Sequence, residues 1–112
     1  MRIRPHTLFQ RDFKRLHKKY PSLPSDIREL GNSLRENPQQ GDAPGDNCYK
    51  VRLLIRSKNT GKSGGARVIT YLKIERDTLF LLALYDKSEI ESIPNALIQQ
   101  LVKKVEENLE DN

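Results

Sequence analysis

Residues 79–85 read Leu-Phe-Leu-Leu-Ala-Leu-Tyr, a short apolar run with no polar alternation. A strand with one wet face alternates apolar and polar positions, whereas a continuous run of this length suits a central strand covered on both faces. The fold must therefore supply a covering layer on each side of that strand.

The rest of the chain contains three helical patterns able to do so. Phe9, Phe13, Leu16 and Tyr20 recur at helical spacing and predict a helix over 8–20, with Thr7 and Gln10 as its capping box and Pro21 as its stop. A second helix starts between Ser22 and Ser25, tolerates Pro24 in its first turn, buries Leu23, Ile27, Leu30 and Leu34, and ends at Asn37-Pro38. The short loop between them predicts an antiparallel helical hairpin. A third helix runs from near Pro94 to about Leu109, with Leu97, Ile98, Leu101, Val105 and Leu109 on one stripe. Strands are expected at 3–4, 49–56, 66–74 and 79–85, and residues 38–47 are loop by composition. The order is β-α-α-β-β-β-α. This is an α+β domain spanning 1–112: a small, mainly antiparallel sheet with an N-terminal helical hairpin and a C-terminal helix.

Composition narrows the functional classes. No apolar run approaches the roughly 18 residues a membrane span needs, so no membrane partner is expected. Met1 to Pro5 has no apolar h-region of a secretory signal. The single Cys48 excludes an internal disulfide and fits a reducing, cytoplasmic setting. The net charge of +5 is unevenly spread: residues 1–19 carry seven Lys or Arg against one acid, and residues 50–76 carry eight against one. Clustered cations of this kind are the electrostatic footprint of a nucleic-acid binder, although solvated faces collect them too.

Several chemistries find no support. Gly61-Lys62-Ser63 suggests a phosphate-binding loop, but that motif needs a glycine where Arg56 stands and a helix where a strand follows. His6 and His17 are the only histidines and have no carboxylate at ligand spacing, so no metal site is expected and no cofactor. No Ser/His or Cys/His constellation is visible. Among paired carboxylates, Glu106/Glu107 reads as a solvated helix end.

What remains is a cationic set around residues 49–89. Period two places Lys50, Arg52 and Arg56 on one face of the 49–56 strand. Lys58 and Lys62 flank or sit in the glycine-rich turn 61–65, Arg67 opens the next strand, and Lys87 follows the apolar run, with Tyr71 and Tyr85 nearby. Such cations can stabilise the charge of a phosphorane during phosphodiester cleavage. RNA would supply its own nucleophile, the 2′-OH, so neither metal nor histidine is required. Arg11, Lys14, Arg15, Lys18 and Lys19 form a second basic group, read either as a solvated face or as a nucleic-acid or ribosome contact.

Three segments carry a resemblance. Tyr49-Lys50-Val51-Arg52-Leu53, then Gly61 to Ile69 (Gly-Lys-Ser-Gly-Gly-Ala-Arg-Val-Ile), then Leu84-Tyr85-Asp86-Lys87-Ser88-Glu89 resemble the RelE/ParE toxin superfamily, in its HigB-like branch of RelE-type toxins. The resemblance implies the toxin of a type II toxin–antitoxin system, a ribosome-dependent mRNA endoribonuclease (an mRNA interferase) that inhibits translation. It implies Lys50, Arg52, Arg67 and Lys87 as catalytic residues, with Arg56, Lys58, Lys62 and Tyr85 binding substrate, Tyr85 by stacking on a base. Residues 94–112 lack the late tyrosine or histidine of the best-known members. The implied partners are a cognate antitoxin, mRNA and the ribosome, with operator DNA for the toxin–antitoxin complex. A ParE-like gyrase inhibitor and a non-catalytic nucleic-acid-binding protein with a degenerate toxin fold are the alternatives.

Overall fold

A computed structural model describes residues 1–58 and 65–110. The elements are β1 (Arg2–Pro5), α1 (Thr7–His17), α2 (Leu23–Glu36), β2 (Asp42–Gly45), β3 (Cys48–Leu53), β4 (Ala66–Lys73), β5 (Thr78–Asp86) and α3 (Asn95–Glu110), with a short 3₁₀ turn at Ile74–Arg76. The sheet order is β1-β5-β4-β3-β2. β1 runs parallel to β5 and the other pairings are antiparallel.

The apolar run behaves as its composition requires. All nine residues of β5 are buried. On one face the hairpin of α1 and α2 packs Phe9, Leu16, Leu23 and Leu34 against Val51, Val68, Leu79 and Leu84. On the other, α3 packs Ile98, Leu101 and Val105 near Cys48, Ile69, Tyr71 and Leu82. Full burial of one such aliphatic side chain stabilises by about 1.5–3 kcal/mol, so the two clusters make this strand the energetic centre of the fold.

A bulge in β5 decides which side chain faces which layer. Ile69 pairs with Ala83 and Thr70 with Leu81, leaving Leu82 as the extra residue. An extra residue reverses the in–out alternation beyond it. Tyr85 is thereby turned toward the α3 face and Asp86 toward the hairpin. Beyond Pro5 the parallel neighbour ends, and Asp12 of α1 takes its place by accepting the Leu84 N–H at 3.3 Å.

The sequence expectations need four corrections. The 38–47 segment contains β2, an exposed edge strand whose Asp-Ala-Pro-Gly composition hides it. The cap of α1 is His6, whose Nδ1 accepts the Leu8 N–H at 3.1 Å, so the Thr7/Gln10 capping box is not used. α1 stops at His17, short of Tyr20. β3 ends at Leu53, because Leu54 to Ser57 turn away toward the start of α2.

Gly41 permits β2 to reach β3. Its φ is +98°, and a Cβ there would lie 2.3 Å from the Lys50 carbonyl oxygen. Gly41→Ala is expected to destabilise by about 1–3 kcal/mol, read as a lowered urea midpoint. A midpoint equal to that of the unsubstituted chain would show that β2 is not held against β3.

Candidate functional site

α3 leaves part of its sheet face uncovered. Glu106 near its C-terminal end accepts from Tyr71 Oη and Lys73 Nζ, at 2.8–2.9 Å from the lysine, which ties the helix to the far end of β4. Glu106 is therefore not the solvated helix-end acid that its sequence position suggests: the two donors hold its carboxyl below the ordinary glutamate range. Tyr71 is correspondingly committed, its phenol pushed up by burial and by that carboxylate.

On the uncovered end stand Lys50, Arg52 and Arg67. Arg52 lies directly opposite Arg67 in the β3–β4 register, and Arg67 lies opposite Tyr85 in the β4–β5 register. Lys50 is two residues along β3 on the same face, opposite Ile69. Neighbouring strands sit about 4.8 Å apart and i, i+2 positions about 6.8 Å apart, so three cations share a patch the size of a dinucleotide phosphate step. Arg52 is exposed, and Lys50 and Arg67 are half-buried. Among the described residues none of the three has a carboxylate partner; Arg67 donates only to the Ala66 carbonyl, at 3.1 Å. Like charges directly opposite across a sheet are destabilising. An unneutralised Arg–Arg pair is thus a cost to the fold that an anion would relieve.

Lys87 follows β5 on the side of this patch and is exposed. Its N–H bonds to Gly65 O at 3.2 Å, which fixes the chain where it leaves the strand. Tyr85 is only 3% exposed. Burial raises its pKa while the Arg67 charge opposes the rise, so the phenol is a protonated neighbour of Arg67. With its ring packed under α3, Tyr85 is not a platform for stacking a base, contrary to the role the sequence suggested.

Two further expectations change. Arg56 does not join Lys50 and Arg52, because β3 has ended; it pairs with Glu29 at 2.6 Å and approaches buried Asp26 at 3.9 Å. Lys58 is not a free phosphate contact, for its side chain is 6% exposed and its Nζ lies 2.6 Å from Asp86 Oδ1. Lys62 lies outside the described residues, as does most of the glycine-rich turn. In the second basic group, Arg15 and Lys19 pair with Glu89, while Arg11, Lys14 and Lys18 are exposed. Cys48 is buried, which pushes its thiol up to about 11, helped by Asp46; it behaves as a small strand residue.

The residue sequence reasoning missed is Asp86, wholly buried beneath the patch. It accepts from Tyr20 Oη at 2.6 Å, Lys58 Nζ at 2.6 Å, Ser88 N at 2.9 Å and Ser88 Oγ at 2.7 Å. This joins the turn between α1 and α2, the stem before residue 59, the end of β5 and the start of the following turn. Its place at the end of an apolar run, two residues before a serine, was a usable signal: Asp86 and Ser88 form a local side-chain-to-backbone turn.

Burial alone would raise the Asp86 pKa, but the bonds from Lys58, Tyr20 and Ser88 outweigh it and hold the carboxyl well below the usual range. A depressed carboxylate contributes stability that is present above the unfolded value of about 3.9 and is lost as pH falls through the folded value. Asp86→Asn, which leaves Lys58 buried without its counter-charge, is expected to cost about 3–5 kcal/mol near neutral pH. Urea midpoints should show the gap between the two proteins narrowing as pH drops below about 3.9. A constant gap across that window would mean that Asp86 is not held ionised.

No family model matches the chain. Among solved structures, the free state of a double mutant of the toxin RelE from E. coli superposes with a TM-score of 0.59, at 16% sequence identity, over 93% of this chain and 96% of that one. The chain has the RelE-type α+β fold, a five-stranded mixed sheet between a helical hairpin and a C-terminal helix.

Proposed function

We propose that this chain is the toxin of a type II toxin–antitoxin pair, of the HigB-like RelE type, and that it cuts mRNA on the ribosome. The observation that carries the reading is the Arg52–Arg67 cross-strand pair with Lys50 beside it, three cations that form no ion pair among the described residues, on a RelE-type fold. In the proposed reaction the 2′ oxygen of one nucleotide bonds to the adjacent phosphorus and the bond to the 5′ oxygen of the next nucleotide breaks. The 2′ proton leaves to a base and a proton is delivered to the 5′ oxygen. The products are a 2′,3′-cyclic phosphate and a 5′-hydroxyl.

Each cation has a place in that scheme. Arg52 and Arg67, on adjacent strands, hold the two non-bridging oxygens as charge builds on the phosphorane. Lys50 extends the patch along β3 toward the neighbouring phosphate. Lys87, exposed beyond β5, is assigned to the leaving 5′ oxygen as proton donor. The exposed Arg11 and Lys14 of α1, with Lys18 just past its end, belong to a separate, sequence-independent contact with ribosomal or messenger phosphates. The cognate antitoxin silences the toxin by covering the patch, with carboxylates matched to it, and the pair binds its operator DNA.

No described helix is long and apolar enough to cross a membrane.

Induced expression in bacteria tests the reading. Growth arrest with ribosome-dependent mRNA cuts is expected, and Arg67→Ala should lower the cutting rate by about 10²–10³-fold while leaving the protein folded. Arrest without mRNA cuts would shift the target to gyrase. Normal growth with soluble protein and intact mRNA would reduce the chain to a nucleic-acid-binding or degenerate toxin fold.

A further inference from the structure

At the β2 edge of the sheet an open cleft of about 330 Å³ adjoins the cationic patch. It is lined by Gln40, Gly41, Asp42, Lys50, Val51 and Arg52. Lys50 and Arg52 already belong to the patch, whereas Asp42 and Gln40 have no part in it. A single water takes about 30 Å³, so the space admits a planar heterocycle.

Asp42 is the unusual residue. It stands directly opposite Lys50 in the β2–β3 register. Directly paired residues of an antiparallel ladder project to the same face, and opposite charges placed so attract. Yet the Asp42 carboxylate forms neither an ion pair nor a hydrogen bond among the described residues. Asp42 is exposed and Lys50 half-buried, and both line the cleft without closing it.

The surroundings of the acid are fixed. Gln40 Nε2 donates to Ser33 Oγ at 2.9 Å and to the Asn37 carbonyl at 3.1 Å. Both amide N–H groups are thereby spent, so Gln40 offers the cleft no side-chain donor. Gly41, at φ +98° and packed against the Lys50 carbonyl, sets where Asp42 stands beside β3. Side-chain acceptors therefore come from the β2 side of the cleft, and donors from Lys50 and Arg52 on the β3 side.

One base matches that pattern. An ionised carboxylate only accepts, through two oxygens. On its Watson–Crick edge guanine carries two donors side by side, N1–H and N2–H, with the O6 acceptor next to them. Adenine and cytosine set a bare ring nitrogen beside the amino group, and uracil has one N–H between two carbonyls. A carboxylate facing any of these three meets a lone pair.

We propose that this cleft is a guanine subsite for a nucleotide adjacent to the attacked phosphate. Asp42 accepts from N1–H and N2–H. The Lys50 ammonium has three donors, one for O6 and the others for the neighbouring phosphate. This deepens the ribonuclease reading and rests on it for the course of the strand.

The test uses the full chain and short 2′-O-methyl oligouridylates carrying one guanine, adenine, cytosine or inosine. They have no free 2′-OH, so binding is read without cutting. The guanine strand should bind about tenfold more tightly than the adenine strand, with amide shifts at Gly41, Asp42 and Lys50. Inosine, which lacks the N2 amino group, should fall between them. Asp42→Ala, at an exposed position and with an unchanged circular dichroism spectrum, should erase the difference between guanine and adenine. Cut mapping on ribosomes should show guanine enriched at one fixed position beside the cut. Equal binding of the strands, inosine equal to guanine, or a guanine preference that survives Asp42→Ala would each overturn the subsite. Cuts without guanine enrichment would overturn it too while leaving the ribonuclease reading standing. Asp42-dependent guanine binding without any mRNA cutting would uphold the subsite and overturn that reading instead.

Discussion

A carboxylate taken out of water costs several kcal/mol unless its lone pairs are matched, and Asp86 matches its own from four directions. Those donors belong to segments far apart in sequence: Tyr20, Lys58 and Ser88. The network therefore fixes the end of the helical hairpin, the stem leading into residue 59 and the exit from β5 relative to one another. It exists because the Leu82 bulge rotates β5 by one position. Without that extra residue, Asp86 would point at α3 and Tyr85 at the hairpin. The position of Lys87 and the side of the sheet on which Arg67 meets Tyr85 both follow from it.

Around this fixed corner the two faces of the sheet are treated differently. The hairpin face is sealed, and every described inward position of β3 on that side is buried. The α3 face is sealed only at the end where Glu106 clasps Tyr71 and Lys73. The other end is left to Lys50, Arg52 and Arg67, none of which forms an ion pair among the described residues, although Asp42 of β2 stands opposite Lys50 in the register. The chain does not lack acids: Glu29 serves Arg56, Asp86 serves Lys58, and Glu89 serves Arg15 and Lys19. Other cations, Arg11, Lys14 and Lys18 among them, are also unpaired; what sets this group apart is that two of its arginines stand directly opposite each other in the sheet register.

Much of the architecture was legible in the sequence because it rests on strong periodic signals. The unbroken apolar run of β5 and the stripes of α1, α2 and α3 are of that kind, and each element formed within a few residues of its expected place. β2 was illegible: four exposed residues including a proline and a glycine have no apolar pattern, and only Gly41 at positive φ brings them to β3. The site was legible in part. Alternation correctly placed Lys50 and Arg52 on one face, and the strand opening placed Arg67 beside them. The same alternation misplaced Arg56, since no local signal in Leu53-Leu54-Ile55-Arg56 announces that pairing stops; tertiary bonds from Ser22 and Asp26 pull that segment away. Lys58 and Tyr85 were misjudged for a related reason, as burial by long-range partners cannot be read from spacing.

The central claim is that the uncovered cations stabilise in-line attack by a 2′-OH. Mapping the end groups of mRNA cut on purified ribosomes by the purified protein tests it most directly. The account predicts 2′,3′-cyclic phosphate and 5′-hydroxyl ends, undiminished by a metal chelator and lost in Arg67→Ala. Ends carrying a 5′-phosphate, or cutting that survives Arg67→Ala, would contradict it.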